Sequence, residues 1–137
     1  MPAVRKKKII MEERKWHRYQ FIGTAKIRVP KEKISLDSTI ANISLSGIGL
    51  YTPRAVGIGK RVKLKISFID NKGTVLDDVV EGNVDWQFRF RNIYLVGVIF
   101  NEELNVINQP KLVKHLAWLI DTFKWPSPFT DKRIATL

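Results

Sequence analysis

Residues 61–68 alternate without interruption: Val62, Leu64, Ile66 and Phe68 are apolar, and Arg61, Lys63, Lys65 and Ser67 between them are polar. Successive side chains of a strand point to opposite faces, so this segment is a strand with one face buried and one in water. The same pattern recurs on both sides of it. Over residues 21–29, Ala25, Ile27 and Val29 alternate with Thr24, Lys26 and Arg28. Residues 30–33 end that run as a turn. Residues 39–43 and 48–52 read as the next two strands, joined by a polar, glycine-bearing turn at 44–47. Pro53 and the glycines of 57–59 break the pattern, and residues 70–73 carry a turn signal. Residues 75–88 read as a long or bent strand, with Gly82 as its bulge or sharp bend. A turn at 89–92 leads into the closing strand at 94–100. An open sheet of such strands would expose long edges, and closure removes them. The expected architecture is therefore mainly β: a six-stranded antiparallel barrel built from closely spaced strands and short turns.

The period then changes. From residue 110 to 124, Leu112, Val113, Leu116, Leu119, Ile120 and Phe123 recur at offsets of three and four, one face of an amphipathic helix. Pro110 suits a first helical turn and Pro126 stops the helix. Lys111, Lys114, His115, Asp121 and Lys124 fall on the other side. Trp118 and Trp125 lie there too, either covering barrel or tail surface or anchoring a dimer or partner contact. The expected organisation is a basic arm at 1–11, a barrel with its helix at 12–125, and an irregular tail at 126–137.

Charge narrows the partners. The chain carries 24 basic and 13 acidic residues, a net +11. Such a surface concentrates anions without naming one. Residues 1–18 hold seven basic side chains against Glu12 and Glu13. Cysteine is absent, which removes disulfides, thiolate metal sites and thiol catalysis. No apolar run approaches the ~18 residues of a membrane span, and the basic start lacks the apolar stretch of a signal peptide. The reading is cytoplasmic.

Catalysis finds no support in the residues. His17 and His115 are the only histidines and belong to no metal-ligand spacing. Asp77 and Asp78 are neighbours on a strand, so their side chains face apart and form no acid–base pair. No metal and no cofactor is expected.

Two segments stand out. In Arg14-Lys15-Trp16-His17-Arg18, two guanidiniums four positions apart can each hold a phosphate or a guanine edge bidentately. A solvated basic arm is the plainer reading. In Asn42-Ile43-Ser44-Leu45-Ser46-Gly47, Asn42 and Ser44 share parity and face one way if the strand continues. Gly47 permits a positive φ or a close ligand approach. An ordinary turn with local side-chain to backbone bonds is the plainer reading here.

Together, with twenty-three residues between them, the two segments resemble the PilZ domain family, whose pattern is R-x-x-x-R followed by [D/N]-x-[S/A]-x-x-G. The Val84-Asp85-Trp86 segment, the strand Leu95-Val96-Gly97-Val98-Ile99-Phe100 and the C-terminal helix are similar to that family as well. The resemblance covers roughly residues 12–123. It implies a six-stranded barrel that binds the bacterial second messenger cyclic di-GMP as a non-enzymatic receptor. Arg14 and Arg18 would clasp phosphate and guanine from the arm, Asn42 and Ser44 would hydrogen-bond the ligand, and Gly47 would leave it room. Trp16 or Trp86 would stack near a base or pack at the rim. Closing of the arm would alter a surface for a protein effector. The alternatives are an adaptor that binds protein but no nucleotide, and a basic barrel that binds nucleic acid. The second is disfavoured because the aromatic residues form no evident platform in the sequence.

Overall fold

The structure, a computed structural model, describes residues 21–122. Six strands and a helix follow in order: β1 Gly23–Val29, β2 Ile34–Ile43, β3 Gly47–Thr52, β4 Arg61–Ile69, β5 Val75–Phe90, β6 Ile93–Phe100 and α1 Pro110–Thr122. All pairings are antiparallel, and the sheet closes in the order β1-β2-β3-β6-β5-β4, with β4 returning to β1. Phe21–Ala117 make one compact unit, which contains the barrel; Trp118–Thr122 are counted with another.

The alternation anticipated for β4 is what the barrel uses. Val62, Leu64, Ile66 and Phe68 are buried, together with Ile27 on β1, Leu50 on β3 and Val96 on β6. Removing each such side chain from water contributes on the order of 1.5–3 kcal/mol. Their polar neighbours stay on the outer face.

The start of β2 and the irregularity of β5 differ from expectation, while the turn expected at 30–33 forms. β2 starts at Ile34 rather than at residue 39. One of its core positions is Ser38, which hides the alternation; the buried hydroxyl donates to the Ala25 carbonyl at 2.6 Å. The segment after β1 is a single 3-10 turn, Pro30–Glu32, closed by Lys33 in the left-handed region at φ 54. The irregularity of β5 is not at Gly82. Gly82 stays in register between Val62 and Phe100, and a Cβ there would collide with the Ile99 carbonyl oxygen. The register shifts instead between Val84 and Trp86, making Asp85 the bulge residue. A second shift falls between Ile40 and Asn42 on β2.

The turn at 70–73 forms as its residues suggest. Asp70 Oδ1 accepts the Lys72 and Thr74 N–H groups, both at 2.9 Å, and Gly73 takes φ 80. The Thr74 and Lys72 hydrogen bonds hold the Asp70 carboxyl below its usual range.

Asp77 and Asp78 do face apart. Asp77 leans toward Lys65 at 4.0 Å, while Asp78 turns to the helix and accepts the Leu112 N–H at 2.7 Å. Gln109 starts the helix: its carbonyl accepts the Val113 N–H at 3.0 Å, and its amide donates to Val79 O at 3.1 Å. Pro110 follows at the first helical position, where its missing N–H is not needed. A strand carboxylate therefore satisfies one of the orphan donors of the helix.

His115 corrects one expectation. It belongs to the buried side of α1, not the polar one, at 6% exposure. Its ring stacks on Phe68 with centroids 5.0 Å apart and lies 5.8 Å from Phe21. An imidazole recurring at helical spacing beside Leu112 and Leu119 is carried inward by its apolar neighbours. Burial lowers its pKa below 6.5, and the Asp70 charge opposes part of that shift.

Two outcomes follow. Asp78→Ala is expected to cost about 1–2 kcal/mol, the range of a lost helix cap; urea unfolding should show a lower midpoint at unchanged slope. The depressed His115 pKa means that the unfolded chain takes up a proton first as pH falls. Stability is then fully present above the unfolded value of 6.5 and declines below it, until the lower folded value is passed. Denaturation between about pH 7.5 and about pH 5 checks the decline, and His115→Gln should flatten it.

Candidate functional site

The described part of the site lies on the outer face of β2, β3, β6 and β5. Four residues form a row across these strands: Asn42 opposes Gly49, Gly49 opposes Gly97, and Gly97 opposes Trp86. Directly opposed residues share a face, so their outward directions coincide. The two glycines let the side chains beside them lie down on the sheet, and both glycines are buried. A Cβ on Gly49 would sit 3.0 Å from the Asn42 amide oxygen, and a Cβ on Gly97 would run into the Trp86 indole. The Asn42 amide thus lies over one glycine and the Trp86 ring over the other. A hydrogen-bonding amide and a flat π surface are set side by side on a shelf made by two buried glycines.

The two register shifts produce this row. The shift after Ile40 turns Asn42 outward, and the shift at Asp85 turns Trp86 outward. Asn42 is exposed and Trp86 half-buried. Beyond Trp86, Phe88 and Phe90 continue on the same outward parity. The Trp86 and Phe88 rings are 5.5 Å apart. An aromatic row therefore exists on this strand, contrary to the expectation from sequence. The bulge hides it, because Trp86, Phe88 and Phe90 share sequence parity with the buried Val80 and Val84 and so read as inward.

Ser44 lies elsewhere in the pattern. The strand ends at Ile43, and Ser44 begins the turn into β3. Its N–H donates to the Gly47 carbonyl at 2.9 Å, and its hydroxyl accepts the Ser46 N–H at 3.3 Å. The local side-chain to backbone reading holds for this hydroxyl. Gly47 has no positive φ among the residues described. It is needed because a Cβ would come within 2.7 Å of the Val98 carbonyl oxygen. The turn is fixed from behind, since Phe100 N–H donates to Ser46 O at 2.9 Å and Leu104 N–H to Leu45 O at 2.8 Å.

Basic residues outnumber acidic ones around this face. No aspartate or glutamate occurs in residues 39–69 or 86–101, which include all of β3 and β6 and the end of β5 from Trp86 on. Arg54, Arg89 and Arg91 lie in those segments. The exposed Asp85, next to Trp86 in the chain, is the carboxylate nearest in sequence to the row. Arg14, Trp16 and Arg18 lie outside the described residues, as does Trp125. Trp118, on α1, is 36% exposed. Among the described residues no cluster of His, Asp and Glu could hold a metal ion, and no helix is long and apolar enough to cross a membrane.

Comparison with known proteins points one way. The family model of the PilZ domain matches residues 12–118. Among solved structures, the chain is similar to "Structure of Bacillus subtilis Inhibitor of motility (MotI/DgrA)", with a TM-score of 0.53 and 18% identity. The match covers 80% of this chain and 55% of that one, so the chain spans about half the length of that protein. At this identity the likeness is one of fold. No curated protein matches the sequence.

Gly97→Ala tests the shelf. The added methyl must displace the Trp86 ring, at a cost of about 1–3 kcal/mol for overpacking. The Trp86 indole N–H resonance of nitrogen-labelled protein should move more than that of the other tryptophans.

Proposed function

The chain belongs to the PilZ domain family, and from that premise we propose that it is a non-enzymatic receptor for cyclic di-GMP. The observation that carries the reading is the two-part motif, Arg14-x-x-x-Arg18 with Asn42-x-Ser44-x-x-Gly47, combined with the position of Asn42. Its amide stands beside the Trp86 ring, above two glycines. A cyclic dinucleotide presents two phosphates and two purines. The shelf offers one partner for a base edge and one for a base plane.

In this reading Asn42 hydrogen-bonds a guanine edge or a phosphate, and Trp86 packs against a base. Ser44 and Gly47 hold the turn that supports Asn42. The Ser44 hydroxyl reaches the ligand only if it exchanges its local bonds for new ones. Arg14 and Arg18 supply charge and bidentate forks, which suit both phosphate and guanine. The arm, residues 5–18, closes over the ligand and changes the surface offered to a protein effector. Trp118 and Trp125 belong to that effector surface or to a dimer contact. The receptor acts in the cytoplasm.

Calorimetric titration with cyclic di-GMP tests the reading and yields the stoichiometry, one ligand or a stacked pair. Arg14→Ala and Arg18→Ala should each weaken binding by about 2–5 kcal/mol, and Asn42→Ala by about 1–2 kcal/mol. No heat at high micromolar ligand, or binding that survives the double arginine change, places the function elsewhere. Amide exchange of residues 5–18 should slow when ligand is added; equal rates with and without it count against closure of the arm.

A further inference from the structure

The tip of the β5–β6 hairpin has no role in the nucleotide reading. Its sequence is Phe88-Arg89-Phe90-Arg91-Asn92-Ile93. Phe88 is 63% exposed and Phe90 64%. Phe90 opposes Ile93, while Phe88 opposes Leu95, which in turn opposes Tyr51 on β3. Tyr51 is 45% exposed. These residues make one apolar patch across three strands, and its Tyr51 and Ile93 border a cavity that Lys26, Lys65 and Asp37 also line. Contiguous exposed aromatics of this kind mark binding surfaces far more often than single exposed side chains do.

The patch is held in shape. Gln87 Oε1 accepts the Val56 and Gly57 N–H groups at 2.8 and 3.1 Å, which ties the loop after β3 to β5. Thr52 Oγ1 donates to the Arg54 carbonyl at 2.7 Å within that loop. At the tip, Arg91 has φ 60, and Arg89 Nε donates to its carbonyl at 3.0 Å. A surface ordered in advance loses little entropy on docking.

We propose that this hairpin docks a face of another protein whose apolar centre is ringed by carboxylates. Charge complementarity selects that occupant. Arg91 lies over Phe90 in the patch, Arg89 stands on the opposite face of the same hairpin, and no acidic residue occurs in residues 47–54 or 86–100. Buried aromatics with arginines beside them are the usual anchors of protein interfaces. A second copy is disfavoured, because a two-fold contact through this patch sets arginine against arginine. A single nucleic-acid strand needs free ring faces for stacking. Here the Arg91 guanidinium covers Phe90, 5.4 Å from its centroid, and Phe88 is tilted against Trp86 at 5.5 Å. The patch does not rest on the nucleotide reading, so it is tested without nucleotide and stands or falls separately.

The experiment uses the full chain and a short labelled peptide that alternates leucine with glutamate, followed by fluorescence anisotropy. A net charge of +11 attracts any acidic peptide, so the contrast lies in charge-neutral variants. Phe88→Ser and Phe90→Ser should each weaken binding roughly tenfold or more, as hot-spot residues do. Val75→Ser, which removes an equally exposed apolar side chain at the other end of β5, should leave it unchanged. Circular dichroism checks that each variant remains folded. An oligothymidine strand and phosphatidylserine vesicles run in parallel. Peptide binding that is absent, that ignores both phenylalanines, or that falls equally with Val75→Ser overturns the proposal. Phenylalanine dependence confined to the oligonucleotide or the vesicles does the same.

Discussion

β1 makes the sheet a barrel by pairing with β2 on one edge and with β4 on the other. Without that strand, β2 and β4 would each present a row of unpaired N–H and C=O groups. With it, every residue of the six strands is committed to the inside or the outside. The arrangement tolerates tension in its outer charges: Lys26 opposes Lys65 and Arg28 opposes Lys63 across the same two strands. Like charges directly opposite one another are unfavourable. Asp37 and Asp77 relieve the first pair at 3.6 and 4.0 Å from Lys26 and Lys65. The buried alternation of Ala25, Ile27 and Val29 against Leu64, Ile66 and Phe68 outweighs the remainder, because it removes whole apolar side chains from water while the charges stay in it.

What could be read from residues alone follows from this division. Strands such as β4 announce themselves because both faces obey the rule. β2 was half visible, since Ser38 sits where an apolar side chain was expected and satisfies its hydroxyl on Ala25. The helix is legible in its place from Pro110 onward, but polarity assigns His115 to the wrong side. Only its ring contacts with Phe68 and Phe21 explain why an imidazole is buried there. Spacing singles out Asn42, Ser44 and Gly47. Gly49 and Gly97 were passed over, although each interrupts an alternating strand, because a glycine reveals its purpose only when its cross-strand partner is known. The outward row of Trp86, Phe88 and Phe90 was lost for a similar reason, as no residue type marks Asp85 as a bulge.

The candidate site and the hairpin patch share a face and a strand, yet they are built for different partners. Around Asn42 and Trp86 the surface is flat, because two glycines withhold their side chains. Toward Phe88 and Phe90 it is convex and apolar. The Trp86 and Phe88 rings touch at the border. A group that presses on the indole therefore also presses on the first phenylalanine of the patch. This contact is the shortest physical route by which occupancy of the shelf can be felt at the hairpin.

The bulge at Asp85 has a consequence for how such a face arises in evolution. Side chains on a strand repeat every two residues, so an added residue exchanges inside for outside for everything beyond it unless a bulge absorbs it. Upstream of Asp85, β5 buries Val80 and Val84; downstream it shows Trp86, Phe88 and Phe90 to solvent. Deleting the Asp85 codon would leave Val84 opposite Val98 and Trp86 opposite Gly97, with the three rings still outward. Drawing Asp85 into a regular strand would instead turn those rings toward the core and pull Gln87 from its bonds to Val56 and Gly57. The working surface of this barrel is thus a matter of phase: it survives the loss of one residue and not the loss of the bulge.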